Sequence, residues 1–443
     1  MVELNKNLFK FTIKHLHQIK KGDLSVLIKK FWSFVILILQ VPIYLLSFPI
    51  IIFLMLIKPF YLIRWTSLMS PRIGHFAKET EFFCCAEDLK INVPKQKYIN
   101  LFYLSSKYIC NQQLLKMWKR KLIILPAFFM VPLARLNNFL NLFFPGGKDH
   151  KIKPLNSNPM RDVFNSLEKT KLHLSFTNEE KTKGEKNLKK FGLNRNDKFV
   201  CLIVRDSAFL SKTTPDRDYN YTSFRNADIE NFILAAEELT RRGYYVFRMG
   251  VHVAKPLISN NKKIIDYSNS ELRNDFMDIY LGGNCEFCIS TAVGFDEVPI
   301  IFRKPIAYVG IAPIGTLETH NSQTLLLIKE HLDEKTNKKM SISEILNRNF
   351  HNLHKSKDYL NNSINLLDNT ANQIKNLVIE MDERLLERWV ESEEDINLQK
   401  KFWSIYSNNN TYNKFQENIE VQHGEIKSKI SSKFLKENQY LLN

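Results

Sequence analysis

Two arginines and one small-residue turn stand where apolar runs end. Residues 199–204 lead into Arg205-Asp206, residues 244–248 end on Arg248, and residues 286–290 open into Ser290-Thr291-Ala292-Val293-Gly294. A guanidinium offers bidentate donors to phosphate. A hydroxyl-rich turn entering a helix leaves backbone amides for the same purpose. Open α/β sheets bind ligands at the carboxyl ends of their strands, so these residues are expected at one edge. The block 199–297 therefore reads as a nucleotide-sugar site. A structural Arg–Asp pair, for instance with Asp206, is the alternative for the arginines, and a plain strand–turn–helix the alternative for the turn.

Between the runs lie Asp218-Tyr219-Asn220-Tyr221 and Phe224-Arg225-Asn226-Ala227-Asp228. Such a loop could cover a sugar or base, with Arg225 on phosphate and Asn226 on hydroxyls, or could merely cap the next helix through Asp228. The donor-binding set is thus Arg205, Asp206, Arg225, Asn226, Arg248, Ser290, Thr291 and Gly294. In the first half, Arg72-Ile73-Gly74-His75 occupies a strand-to-helix loop, and Glu79 and Glu81 follow. A glycine there admits close backbone approach. His75, Glu79 and Glu81 are the catalytic candidates, because glycosyl transfer with inversion needs a base for the acceptor hydroxyl. A hydrogen-bonded loop histidine is the structural alternative. The one Asp-x-Asp spacing, Asp216-x-Asp218, lies in a polar loop instead of after a strand, so no metal and no cofactor beyond the sugar nucleotide are expected.

Strand and helix patterns alternate on both sides of a loop-rich boundary at 145–159, which implies parallel sheets. Strands are expected at 60–65, 98–104, 122–125, 199–204, 244–248, 263–266, 286–290 and 305–310, with helices between them. Ile374, Leu377, Val378, Met381, Leu385 and Trp389 recur at helical spacing, and residues beyond 408 read as a polar, mobile tail. The expected boundaries are a basic leader and membrane-associated segment at 1–58, an acceptor domain at 59–195, a donor domain at 196–340, helices at 341–406 and a tail at 407–443. Residues 31–57 carry no charge, long enough to span a bilayer, yet Pro42 and Pro49 interrupt them and both flanks are basic. A re-entrant or in-plane hairpin, broken at the prolines, is expected. Residues 122–133 are too short to span and read as a buried strand and helix or a further surface contact.

The 443 residues carry a net charge of +17 and six cysteines. An anionic membrane surface accounts for the charge first, compositional bias second. Nucleic acid is not expected as a partner, since no recognition motif accompanies the scattered basic residues. Cys285-x-x-Cys288 lacks a second ligand pair and reads as buried small side chains.

The combined motifs resemble a bacterial family of glycosyltransferases from surface-polysaccharide gene clusters. Carrying the resemblance are Arg72 to Phe76 with Glu79 and Glu81, Asn111-Gln112-Gln113-Leu114-Leu115-Lys116-Met117-Trp118-Lys119-Arg120, Val204-Arg205-Asp206, and Tyr221 with 224–229. Arg241-Arg242-Gly243-Tyr244, Arg248-Met249-Gly250, Asp266-Tyr267, 275–279, Ser290-Thr291 and Val298-Pro299 complete it. It spans about residues 50 to 405. More distantly, Arg205-Asp206 and Ser290-Thr291 look like donor elements of fucosyltransferases, with Ile203 where those carry the His of a His-x-Arg pattern.

The resemblance implies two Rossmann-like doubly wound α/β domains, the GT-B architecture, with an N-terminal membrane-associated helical segment. Arg72, Gly74 and Asn111 would line its cleft. It further implies transfer from a nucleotide-sugar donor to a glycan or lipid-linked acceptor, at the cytoplasmic face of the inner membrane. Two rival expectations differ in a cheap observable. A nucleotide-sugar epimerase would isomerise donor alone, and a non-catalytic membrane scaffold would bind no sugar nucleotide.

Overall fold

The computed structural model describes residues 24–144, 146–155, 158, 160–213, 218–408, 414–416, 419–420 and 423–443. The leader before residue 24 and Asp216 of the Asp-x-Asp spacing lie outside the described residues. The N-terminal part reads α1 (Leu24–Ile57), β1 (Leu62–Leu68), α2 (Ile73–Asp88), β2 (Tyr98–Leu104), α3 (Gln112–Lys121), β3 (Ile124–Leu125) and α4 (Ala127–Leu140). After α5 (Asn178–Lys190) come β4 (Phe199–Ile203), α6 (Ile233–Arg241), β5 (Tyr245–Arg248), β6 (Ile264–Ile265) and α7 (Asp275–Asn284). Then follow β7 (Cys288–Ser290), α8 (Glu297–Ile301), β8 (Ile306–Ile311), β9 (Leu325–Ile328), β10 (Glu330–Asp333) and β11 (Lys338–Lys339). β12 (Ile364–Leu367), α9 (Ala371–Leu385), α10 (Glu393–Ser407) and β13 (Lys429–Ile430) end the sequence of elements used below.

The chain forms two compact units: residues 1–67, 94–103 and 123–152 in the smaller, and 68–93, 104–122 and 153–443 in the larger. These do not follow the expected boundaries. Helices α2 and α3, expected in an acceptor domain with their neighbouring strands, belong to the larger unit. The reason is burial. Phe82, Cys85 and Ala86 of α2 join the main apolar core, the Trp118 indole donates to Phe76 O at 3.1 Å, and Gln112 N donates to Asp275 Oδ2 at 2.7 Å.

The smaller unit pairs α1 with α4 and holds the three-stranded sheet β1-β2-β3. Its core is Ile51, Leu54, Trp65, Met130, Leu133, Ala134 and Leu140. Helix α1 runs unbroken through Pro42 and Pro49, which corrects the expected hairpin. Each proline removes a helical hydrogen bond. Packing of Ile51 and Leu54 against α4, instead of propensity, holds the C-terminal half. Among the described residues no helix is long and apolar enough to cross a membrane.

The larger unit is built on a seven-stranded sheet in the order β6-β5-β4-β7-β8-β9-β13, parallel throughout. Numbered from β4, the first six strands follow 3-2-1-4-5-6, the dinucleotide-fold order. Its central strands are apolar on both faces, and every residue of β4 is buried, as a covered parallel sheet requires. The expected second doubly wound sheet is therefore present. The first is only the three-stranded sheet of the smaller unit. The expected mobile tail is also corrected from residue 423 onward. β13 pairs with β9, and Phe434, Leu435, Leu441 and Leu442 are buried in the main core.

Candidate functional site

In this strand order the chain reverses its direction of travel across the sheet between β4 and β7. Ligands of open α/β sheets sit at that switch point, beyond the strand ends. Arg205 follows β4, and Thr291 follows β7. The two meet: Arg205 N donates to Thr291 Oγ1 at 2.7 Å. Arg225 arrives from the loop before α6 and donates through Nη2 to Ala292 O. Three expected donor-site residues thus converge on one turn.

The electrostatics of this cluster are unusual. Arg205 gives one side-chain bond, Nη2 to Thr222 Oγ1 at 2.9 Å, while its buried Nε has no partner. Burial and then the Arg225 charge push its pKa down to about 10. Burial also lowers that of Arg225, opposed by Asp296. Asp296 is itself buried, and desolvation pushes its carboxyl well up despite bonds from Ser290 Oγ at 2.8 Å and Val293 N at 3.1 Å. Asp296 thus opposes burial only for Arg225, while Tyr221 and Asp206 do so for Arg205, and the two guanidiniums disfavour each other. Burial and mutual repulsion of two cations make this a place where an arriving anion would be favoured. Ala292 holds φ +56°, a left-handed conformation that costs a non-glycine residue about 1 kcal/mol or more.

Helix α2 closes on the same turn. A Cβ built on Gly74 would stand 3.0 Å from Gly294 Cα, so only glycine lets the backbones touch. His75 follows immediately, half-buried, with Nδ1 2.6 Å from Glu79 Oε1. Arg72 is exposed at the N-cap of α2 and makes no side-chain cap. Beneath them Lys78, fully buried, lies 3.1 Å from Glu297 and 3.6 Å from Glu318. Burial alone would lower the Lys78 pKa, and the two glutamates more than offset it. Desolvation raises the Glu297 pKa, and Lys78 opposes it. Glu318 carries the negative charge, shared with Arg161 at 3.2 Å and His320 at 3.1 Å.

Other expected site residues are engaged elsewhere. Arg248 is buried and donates to Asp266 at 3.2 Å, Ser268 at 2.8 Å and Lys255 O at 3.2 Å. It also lies 3.9 Å from Asp206, so its donors join two loops beside the Arg205–Arg225 cluster. Asp206 accepts from Ala208 N and Ala254 N and pins the same loops. Ser290 donates its hydroxyl to Asp296 and accepts from Ala292 N within the turn. Asn111 is the N-cap of α3, accepting from Leu114 N at 2.8 Å and donating to Asp275 O at 2.9 Å. Glu81 is fully buried, 2.8 Å from His173 and 2.6 Å from Arg303. It also lies with Cys85 and His173 in a group whose ligand atoms fall within 4.8 Å of one another. Arg303 already compensates that carboxylate. Cys285 and Cys288 are buried, donating to backbone carbonyls.

Asp206, Asn226 and Arg248 line a cavity of about 320 Å³ with Asp228, Lys255 and Asp368. Lys329, which the sequence reading passed over, shapes this side. It donates to Phe224 O at 2.9 Å and Asn226 O at 3.0 Å, fixing the segment that carries Arg225. Its signal was available: Lys329 closes an apolar strand, as Arg205 does. Asp296 and Glu297 were also passed over, although two carboxylates directly after a small-residue turn are visible in the sequence.

No family model and no curated protein matches the chain. Among solved structures it is similar to a glycosyl transferase family 9 protein from Veillonella parvula, at 12% identity, TM-score 0.34, 56% of this chain and 80% of that one. It is also similar to the E. coli ADP-heptose LPS heptosyltransferase II, at 11% identity, TM-score 0.31, 56% of this chain and 86% of that one. A third is S. aureus MnaA with UDP, at 11% identity, TM-score 0.24, 75% of this chain and 98% of that one.

Proposed function

We propose that the chain is a glycosyltransferase that uses a nucleotide-sugar donor. The observation that carries this reading is the convergence of Arg205 and Arg225 on Thr291–Ala292 at the switch point of the large sheet, where burial and mutual repulsion disfavour both cations. A nucleoside diphosphate supplies negative charge there, and two guanidiniums can do for it what a metal does elsewhere. The transfer is accordingly proposed to be metal-independent, with no cofactor beyond the donor.

In this reaction an acceptor hydroxyl oxygen bonds to the anomeric carbon, the anomeric carbon–phosphate oxygen bond breaks, and the nucleoside diphosphate leaves with that electron pair. Arg205 and Arg225 stabilise the negative charge on the leaving phosphates. The acceptor proton passes to His75, oriented by Glu79. Arg72 extends the positive field at the N-terminus of α2. The acceptor is proposed to be a lipid-linked or growing surface glycan, handled at the cytoplasmic face of the inner membrane, where sugar nucleotides are available. The apolar α1 is the motive for that location.

The test is transfer of label from UDP-, GDP-, ADP- and CMP-sugars onto a membrane lipid extract by detergent-solubilised protein. One donor should label a lipid- or glycan-linked product, and His75→Ala should lower that rate by about 10²- to 10⁴-fold. Isomerised free donor without an acceptor product would replace the reading with an epimerase.

A further inference from the structure

The smaller unit exposes more apolar surface than water tolerates, and it does so in two places. On α1, Ile51 and Leu54 face the core while Ile38, Val41, Leu45, Phe48 and Leu56 stand exposed, Leu45 at 69% and Leu56 at 70%. Ile38, Val41, Leu45 and Phe48 recur every three or four residues, and Leu56 follows eight residues on, so they form an exposed apolar face. On α4, Phe128 and Phe139 lie eleven residues apart, close to three helical turns, and are both exposed. Beyond α4 the run Leu142-Phe143-Phe144 is exposed too, Phe143 at 63% and in ring contact with Phe139 at 5.4 Å. Isolated surface apolar residues need no explanation, but contiguous ones of this extent mark a partner.

Two observations say which partner. Lys58, one residue past α1, donates to Gly146 O at 3.2 Å. This brings the exposed end of α1, with Leu56 and Phe60 (81% exposed), to the chain just after Phe144. The second is charge. Residues 24–67, 94–103 and 123–152 carry nine lysines and arginines and a single acid, Asp149. Lys148 and Lys151 are exposed beside the aromatic run. An apolar aromatic surface rimmed by cations matches an anionic bilayer, with rings at acyl depth and ammonium groups among headgroup phosphates. A protein partner would be met more often by mixed charges.

We propose that the aromatic end of α4, Phe128, Phe139 and 142–144, inserts into an anionic lipid bilayer beside α1, so that this unit holds the membrane by two elements. The inference rests on the membrane location proposed above and adds the element, its residues and the lipid charge it selects.

The experiment is flotation of the full chain with phosphatidylcholine vesicles, alone and with phosphatidylglycerol. The wild type should float with the mixed vesicles and bind the neutral ones more weakly. A variant with Phe128→Glu, Phe143→Glu and Phe144→Glu should lose at least about tenfold in partitioning into mixed vesicles, since three membrane-inserted rings are removed. These side chains are exposed, so its melting temperature in detergent should be unchanged, and donor binding in detergent should persist whatever the flotation result. Flotation of the variant equal to wild type would overturn the two-element inference. Absence of wild-type flotation, with self-association through this face in sedimentation, would overturn it in favour of a second copy of the chain.

Discussion

Gly74 and Gly294 touch backbone to backbone, with room for a hydrogen and no more: a Cβ on Gly74 would stand 3.0 Å from both the Cα and the carbonyl oxygen of Gly294. That contact seats the first turn of α2 on the turn that receives Arg205 and Arg225. It places His75 and Arg72 next to the proposed diphosphate site.

Gly74→Ala tests this contact. The neighbour is backbone and cannot yield as a flexible side chain would. The substitution should cost about 1–3 kcal/mol by overpacking and shift the turn. The melting temperature should fall, and donor affinity with it. An unchanged melt would show that α2 is free to move off the turn.

Arg205 and Arg248 should separate cleanly. Arg248→Ala strips a buried cation from Asp266, Ser268 and Lys255 O, and breaking such a pair costs about 3–5 kcal/mol. Arg205→Ala removes one side-chain hydrogen bond and relieves repulsion from Arg225, so stability should hold within about 1 kcal/mol. Paired urea titrations of the two variants make the comparison.

Histidine burial sets an acid limit. His331 is fully buried with Nδ1 3.2 Å from Lys329 O, and burial lowers its pKa from 6.5 to about 4. Above pH 6.5 neither folded nor unfolded chain holds the proton. Between 6.5 and 4 only the unfolded chain does, so stability falls as pH drops through that window, by at most about 3 kcal/mol. His331→Met should flatten the urea midpoint between pH 7 and 4.5 relative to wild type.

Removal of residues 409–443 should be disruptive. β13 covers the edge of β9, and Gln399 donates through Nε2 to Ile430 O at 2.6 Å and accepts at Oε1 from Ile430 N at 3.1 Å. Truncation uncovers a buried edge strand together with the seats of Phe434, Leu435, Leu441 and Leu442. The shortened chain should aggregate on expression, read by size-exclusion chromatography.

The sequence made the central sheet legible because β4, β5, β7 and β8 are apolar runs, and Arg205 and Thr291 stand out as the polar residues that close β4 and β7. Tyr98–Leu104 forms the strand its pattern implies. Other features depended on distant partners. Lys78 on α2 looks like any helical lysine until Glu297 and Glu318 are brought to it. Arg248 carries the same signal as Arg205, yet Asp266 and Ser268 claim it, which the strand pattern could not reveal. β13 has two residues, too few for any alternation. The grouping of α2 and α3 with the large sheet rests on cross-chain burial, while sequence order suggested otherwise.

Calorimetric titration of detergent-solubilised protein with UDP, GDP, ADP and CMP tests the central claim most directly, in wild type, Arg205→Ala, Arg225→Ala and the surface control Arg241→Ala. One nucleotide should bind the wild type and the control alike, and each site variant should weaken it at least about tenfold, the loss of one charge-assisted contact. Binding unaffected by Arg205→Ala and Arg225→Ala, or none by wild type to any of the four, would contradict the account.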